Sequence, residues 1–434
     1  MAEVPLYRST RGSEGKASFE EALLHGLAMD GGLYVPTFLP RMPEGWEEAD
    51  SFPDLGVRVL ESWLAGPVPS SALEAFVRDA LSFPVPLVPL QDTAWDGVFV
   101  LELFHGPTLS FKDFGARMMA RLMTYFLRER SERATILVAT SGDTGSAVAD
   151  GFAGSAEVDV RLLYPKGQVS PTQERQLIVA RPGVRAFAVR GAFDDCQRMV
   201  KEAFVDRSLD GLRLTSANSI NIGRLLPQML YYFEAFRQGG FGEAVVCVPS
   251  GNLGNLTAGL LASLSGLPAT RFIAAHNAND FFPSYLREGT ADSRPSVRTL
   301  SNAMDVGVPS NFERLQSLFP PRELERRLWA TSVSDAETIA SIRRVYEDAG
   351  YVADPHTAVG LEAARRFRSE NGGETPTIVL ATAHPAKFPE IVQLALGFEI
   401  DQPGSLEALW AESTFAEEID PNLPALRHAL LQSA

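Results

Sequence analysis

Only two cysteines, Cys196 and Cys247, occur in 434 residues. Each lies in an apolar or amphipathic stretch, and neither CxxC nor Cys/His ligand spacing surrounds them. A disulfide framework and a metal site are therefore excluded as organising devices, and buried free thiols are expected. The six histidines show no ligand spacing either. Positive charge is also short: 39 Lys+Arg stand against 54 Asp+Glu, a net charge of −15. General nucleic-acid binding wants the opposite balance. Any anionic ligand must find a local pocket of N–H groups and a few cations, because the global field repels it. No apolar run reaches the ~18 residues of a membrane span. The opening MAEVPLYRSTRG lacks an apolar core, so no secretory leader is expected. The reading is a cytoplasmic protein.

The length implies two or three domains at ~100–200 residues each. Residues 1–92 read as a separate N-terminal unit. Ser18 and Glu21 form a capping box for a helix that should stop near Asp30-Gly31-Gly32. LYVP reads as a short strand, followed by proline-rich turns (Pro36, Pro40, Pro43, Pro53, Pro67, Pro69) and the helical SSALEAFVRDAL. SFPVPLVPL suits an extended linker or edge segment. No residue of this unit looks chemically active, which points to packing or interface.

From Val98 onward, β and α patterns alternate. VFVLELF, ATILVAT, VDVRLLYP, VRAFAVRG, EAVVCVPSG, ATRFIAAHN and TPTIVLATAHP read as strands, separated by helical stretches. Repeated βα units imply an α/β fold with mainly parallel sheets and helices on both faces. Residues 93–434 are read as the catalytic region, with a smaller α/β subdomain at about 130–218.

In such sheets ligands bind at the carboxyl ends of strands, and polar segments collect there. HGPTLSFKDFG places Lys112 at the start of an apolar helix, where the helix field and partial burial favour a neutral, nucleophilic amine. Alone it reads first as an ordinary surface lysine. TSGDTG, with Thr140, Ser141, Asp143 and Thr144, can hold a carboxylate or phosphate, or can be a polar helix-capping turn. SGNLGN is a Gly/Asn loop able to turn several N–H groups toward one phosphate. It has neither a GK[ST] ending nor G-x-G-x-x-G, so a cofactor phosphate fits better than a transferred one. SANSINIGR offers Asn218, Ser219 and Asn221, with Arg224 at a helix start, where a cation is unfavourable unless an anion sits beside it. ATAHP sets the Thr382 hydroxyl at a strand end, and His384 reads as a structural hydrogen-bonder. One Schiff-base lysine, one phosphate cradle and a second anion pocket together suggest pyridoxal phosphate.

At this point the chain resembles the threonine synthases, in the branch with an extended N-terminal region. HGPTLSFKDFG, ATSGDTGSA, SANSINIGRLLPQ, PSGNLGN and LATAHPAKFP match in order, as does GLAMDGGLYVP. The resemblance implies the tryptophan-synthase β-like fold of pyridoxal-phosphate enzymes and an N-terminal α+β domain. It implies Lys112 as the lysine bonded to the cofactor and as the acid–base group. Gly251, Asn252, Leu253 and Asn255 would hold the cofactor phosphate, and Thr382 would meet the pyridine nitrogen. Thr140, Ser141, Asp143 and Thr144 would line the substrate-carboxylate and ring-hydroxyl side. Asn218, Ser219 and Arg224 would bind the substrate phosphate.

The implied activity is that of a carbon–oxygen lyase acting on phosphate. O-phospho-L-homoserine and water would give L-threonine and phosphate, the last step of threonine biosynthesis, with Lys112 carrying protons between substrate carbons. The expected partners are this small molecule and at most a second copy of the chain (monomer or homodimer), with no nucleic acid and no membrane. An ammonia-lyase of the same fold would keep Lys112 and the phosphate cradle but would not need Arg224.

Overall fold

Short runs of Val, Ile, Leu and Ala, bounded by Gly, Pro and polar residues, bury both faces of their strands, as parallel sheets require. The structure, a computed structural model, describes residues 4–12, 15–290 and 292–432. Its strands are β1 (Tyr7–Ser9), β2 (Tyr34–Pro36), β3 (Leu87–Pro89), β4 (Val98–Glu102), β5 (Ala134–Ala139), β6 (Val158–Pro165) and β7 (Val184–Val189). They continue as β8 (Leu214–Thr215), β9 (Ala244–Pro249), β10 (Ala269–His276), β11 (Leu328–Ser332), β12 (Thr377–Ala381) and β13 (Glu417–Ile419).

Two sheets carry the architecture. The larger runs β11-β10-β9-β12-β4-β3 and is parallel except for β3, which pairs antiparallel with β4 at the edge. The prolines of SFPVPLVPL thus sit where a missing ladder donor is harmless. The smaller sheet runs β13-β7-β6-β5-β8 and is parallel throughout. β1 and β2 form a separate antiparallel pair. The helix Lys112–Glu129 packs on neighbouring helices and buries Phe114, Met118, Met119, Leu122, Met123 and Phe126 in a core cluster that also takes in strand residues of both sheets, such as Ile136 and Val246. Among the described residues no helix is long and apolar enough to cross a membrane.

Several expectations need correction. The stretch read as proline-rich turns holds a thirteen-residue helix, Phe52–Leu64. Ser51 caps it and Pro53 occupies its first turn, where proline costs no hydrogen bond. The first helix spans Phe19–His25 and stops at Gly26, whose φ of 75° closes it well before Asp30. β11 and β13 lie in segments for which no strand was expected. β13 joins the small sheet from the far end of the chain, which a contiguous unit at about 130–218 leaves out.

Candidate active site

The five polar segments follow the carboxyl ends of β4, β5, β8, β9 and β12, and they face one cavity of about 670 Å³. Lys112, Thr140, Ser141, Asp143, Thr144, Asn218, Ser219, Arg224, Gly251, Asn252, Leu253, Asn255 and Thr382 all line it.

Lys112 is the first residue of its helix, and no side chain caps that end. Its loop is stitched to the end of β12 by backbone bonds. Phe111 N–H donates to Thr382 O (2.9 Å), His384 N–H donates to Leu109 O (3.0 Å), and Ser110 bridges Ala383. Leu109 takes a left-handed conformation (φ 58°) to make the turn. Lys112 and Thr382 are therefore held together by main chain. Asp113 braces the same loop, accepting from Thr108 N–H (2.9 Å) and from the Thr108 hydroxyl (2.6 Å). Burial raises the Asp113 carboxyl to about 6.

The Lys112 amine reaches cavity water yet lies deep in the protein, and burial lowers it to about 8, against the opposing pull of Asp143. Lys387 and Arg224 push the same way as burial. A neutral amine is the attacking form. Reaction of this amine with an aldehyde such as pyridoxal phosphate should therefore quicken about tenfold per pH unit below pH 8 and level off above it. Stopped-flow absorbance from pH 6 to pH 10 checks this. A rate still climbing at the upper end would mean an unshifted lysine.

The β5 loop is held by its own hydroxyl. Thr140 Oγ1 accepts from Gly142 N–H (3.0 Å) and Gly145 N–H (2.9 Å), so this hydroxyl shapes the loop. Asp143 is 3% exposed, and Lys387 Nζ lies 2.8 Å from it. Burial alone would raise this carboxyl, but Lys387 and Lys112 overcome it and hold it well below the usual carboxylate range. Gln173 adds a hydrogen bond at 3.1 Å. Removing Lys387 as Lys387→Met strands a buried charge, and should cost about 3–5 kcal/mol in urea unfolding of the apoprotein. Adding Asp143→Asn to that variant should restore part of the loss. A change below ~1 kcal/mol would show that the pair is not desolvated in solution.

The β9 loop leads into the helix Gly254–Leu264, whose N-terminus has no side-chain cap. Its first N–H groups are orphans of the helix ladder. Leu253 adopts φ 59° to turn them inward, and a side chain at Gly251 would stand 2.8 Å from Met304 Cα. Asn255 Oδ1 accepts the hydroxyls of Tyr231 (2.6 Å) and Tyr232 (2.7 Å), which leaves its Nδ2 buried without a partner. These features form a cradle for a phosphate.

Arg224 is 2% exposed. It donates to Ala217 O (2.6 Å), its Nε has no partner, and it makes no ion pair among the described residues. Burial lowers it to about 10. A buried cation lacking a counterion is a seat for an anion. Asn221 caps the short helix Ile222–Leu225 and donates to Leu23 O (2.8 Å).

Other residues of the site went unread in the sequence. Lys387 sits inside the quoted LATAHPAKFP, where a lysine in a run of small and apolar residues was its only signal. His356 lines the cavity, with Nδ1 2.7 Å from Asp354 and Nε2 accepting from Ala303 N–H (3.2 Å). Its DPH sequence reads as nothing more than a helix cap. The N-terminal unit also contributes, since Leu27 lines the cavity and Leu23 and Leu24 offer carbonyls to Asn221 and Thr215. His384 is a hydrogen-bonder as expected: burial lowers it to about 4 and it accepts from Ala386 N–H.

Residues 81–383 match the family model for pyridoxal-phosphate dependent enzymes. Residues 6–81 match that for the threonine synthase N terminus, and residues 357–429 that for the threonine synthase C-terminal region. The chain is 44% identical to the threonine synthase of Serratia marcescens, over 96% of this chain and 94% of that one. The structure superposes on pyridoxal-phosphate-bound threonine synthase from Brucella melitensis with a TM-score of 0.91 and 37% identity, covering 99% of each chain. The threonine synthase structure from Escherichia coli gives 0.90 and 39%, covering 99% of this chain and all of that one.

Proposed function

The chain belongs to the threonine synthases, pyridoxal-phosphate enzymes that convert O-phospho-L-homoserine and water to L-threonine and phosphate, and from that premise we propose how its residues divide the work. One observation carries the assignment: thirteen residues from separate segments converge on a single cavity that offers two anion seats and one amine.

The cavity suits pyridoxal phosphate, on the open helix end and the unpartnered Asn255 amide. Gly251, Asn252, Leu253 and Asn255 would hold its phosphate, Lys112 its aldehyde carbon, and Thr382 its ring nitrogen. When bound, the cofactor supplies an electron sink for charge developing on substrate carbons. The Lys112 amine would take the α-proton of the substrate and carry protons onward. Its lowered affinity for protons suits a base that works near neutrality.

Asp143 is held as an anion, so it cannot face the substrate carboxylate. It belongs on the ring-hydroxyl side with Lys387 behind it. Ser141, Thr144 and the N–H groups that the Thr140 turn sets in place then receive the carboxylate. Arg224, with Asn218 and Ser219, holds the departing phosphate. Fixed charge and donors around a leaving anion lower the barrier to its departure. Water, finally, adds at the β-carbon.

The division into an N-terminal domain (1–92) and a catalytic region (93–434) belongs to the same proposal, as do action in the cytoplasm and a monomer or homodimer as the working form. Phosphate release from O-phospho-L-homoserine, with threonine measured in parallel, tests the reading. Equal amounts of the two products are expected. Phosphate without threonine would leave only a phospholyase.

A further inference from the structure

Arg314 is 0% exposed, deep behind the cavity and outside its lining. Buried guanidinium groups are ordinarily paired with a carboxylate. Arg314 makes no ion pair among the described residues. Its neighbour Glu313 is committed elsewhere, to Arg11 (3.1 Å) and the Thr10 hydroxyl (2.5 Å). All the recorded acceptors of Arg314 are neutral: Tyr34 O (3.1 Å), Ile220 O (2.7 Å) and Asn311 Oδ1. Burial lowers this arginine to about 9, against a partial opposing pull from Glu313.

What Arg314 touches explains the arrangement. Ile220 lies in the loop that ends at Arg224. Asn311 Nδ2 donates to Asn252 O (3.0 Å) and to Ser219 O (3.3 Å). Asn252 Nδ2 in turn donates to Ser219 Oγ (2.9 Å). One short network thus locks the loop assigned to the cofactor phosphate against the loop assigned to the substrate phosphate, and one buried cation stands behind both. The third acceptor, Tyr34, ties this pair of loops to β2 of the N-terminal unit.

Two phosphates brought side by side repel each other, and a protein of net charge −15 adds to that repulsion. We propose that Arg314 is a positioning residue whose missing counterion is the pair of bound phosphates: its fixed charge, relayed through Asn311 and Ile220, offsets their mutual repulsion and sets the spacing of the two loops. The proposal rests on the assignment of those loops given above.

The test separates charge from scaffolding. In holoenzyme carrying Arg314→Gln, the KM for O-phospho-L-homoserine and the Ki of inorganic phosphate should both rise about 10- to 100-fold. The affinity for L-homoserine, the same skeleton without phosphate, read from the spectral change of the bound cofactor, should move less than about threefold. Arg314→Lys keeps the charge while losing the fork, and should stay within about threefold of the parent for phosphate. Should Arg314→Gln fail to fold, the lysine variant decides alone. Equal losses for homoserine and phosphate in either variant would reduce Arg314 to a structural strut and overturn the proposal. So would a lysine variant that loses phosphate affinity as heavily as the glutamine one. If the parent enzyme's Ki for phosphate is insensitive to Arg224→Gln as well, the loop assignment itself has failed, and the Arg314 proposal falls with it.

Discussion

Lys112→Ala will lower turnover of O-phospho-L-homoserine by about 10⁴-fold or more, the scale on which removal of an acting nucleophile or base is felt. The variant should still fold, because the lysine makes no ion pair among the described residues and is destabilised as an ammonium by its burial. It should lose the visible absorbance of bound cofactor on desalting. Borohydride reduction of the parent followed by peptide mass analysis should place the pyridoxyl group on Lys112. The rival amine is Lys387, a few ångströms behind Asp143. Its Nζ is held by Asp143 (2.8 Å) and Thr108 O (2.8 Å), which keeps it turned away from the aldehyde position. An adduct at Lys387 would reverse the two lysines and with them the proposed proton path.

Arg224→Ala should cut kcat/KM by about 10²–10³-fold, the range for removing one fixed donor from a developing or departing anion. The cofactor should stay bound, because among the described residues no hydrogen bond links Arg224 to the cradle built on Gly251–Asn255. Loss of cofactor together with activity would merge the two anion sites into one. Unchanged turnover would remove Arg224 from the substrate phosphate and reopen an ammonia-lyase reading, since a substrate without phosphate has no use for a buried cation at that place.

How much of this was legible in the sequence follows from where each signal sits. Strand ends followed by Gly and Asn mark the cavity loops, because Gly frees a backbone to approach a ligand and both residues are depleted inside strands. The apolar runs mark the parallel sheets for the same reason of burial. The helix Phe52–Leu64 was hidden by the prolines around it and by Pro53, which stands in the first turn, where proline is at home. Lys387, Gln173, His356 and Arg314 escaped because each acts through a partner far away in sequence. Arg314 meets Tyr34 across 280 positions, and no local pattern encodes such a meeting. β11 and β13 are short and half-exposed, so they lack the continuous apolar signature of the central strands.

The place of β12 has a consequence in time. It lies between β9 and β4 in the large sheet, so those two strands, both made earlier, share no partner until residues 377–381 have left the ribosome. Phe111, next to Lys112, likewise meets the Thr382 carbonyl only once that residue has been made. At about 5–20 residues per second, the nascent lysine waits on the order of 10–50 s for the other wall of its pocket. Cofactor loading that needs both walls must therefore follow the synthesis of Thr382.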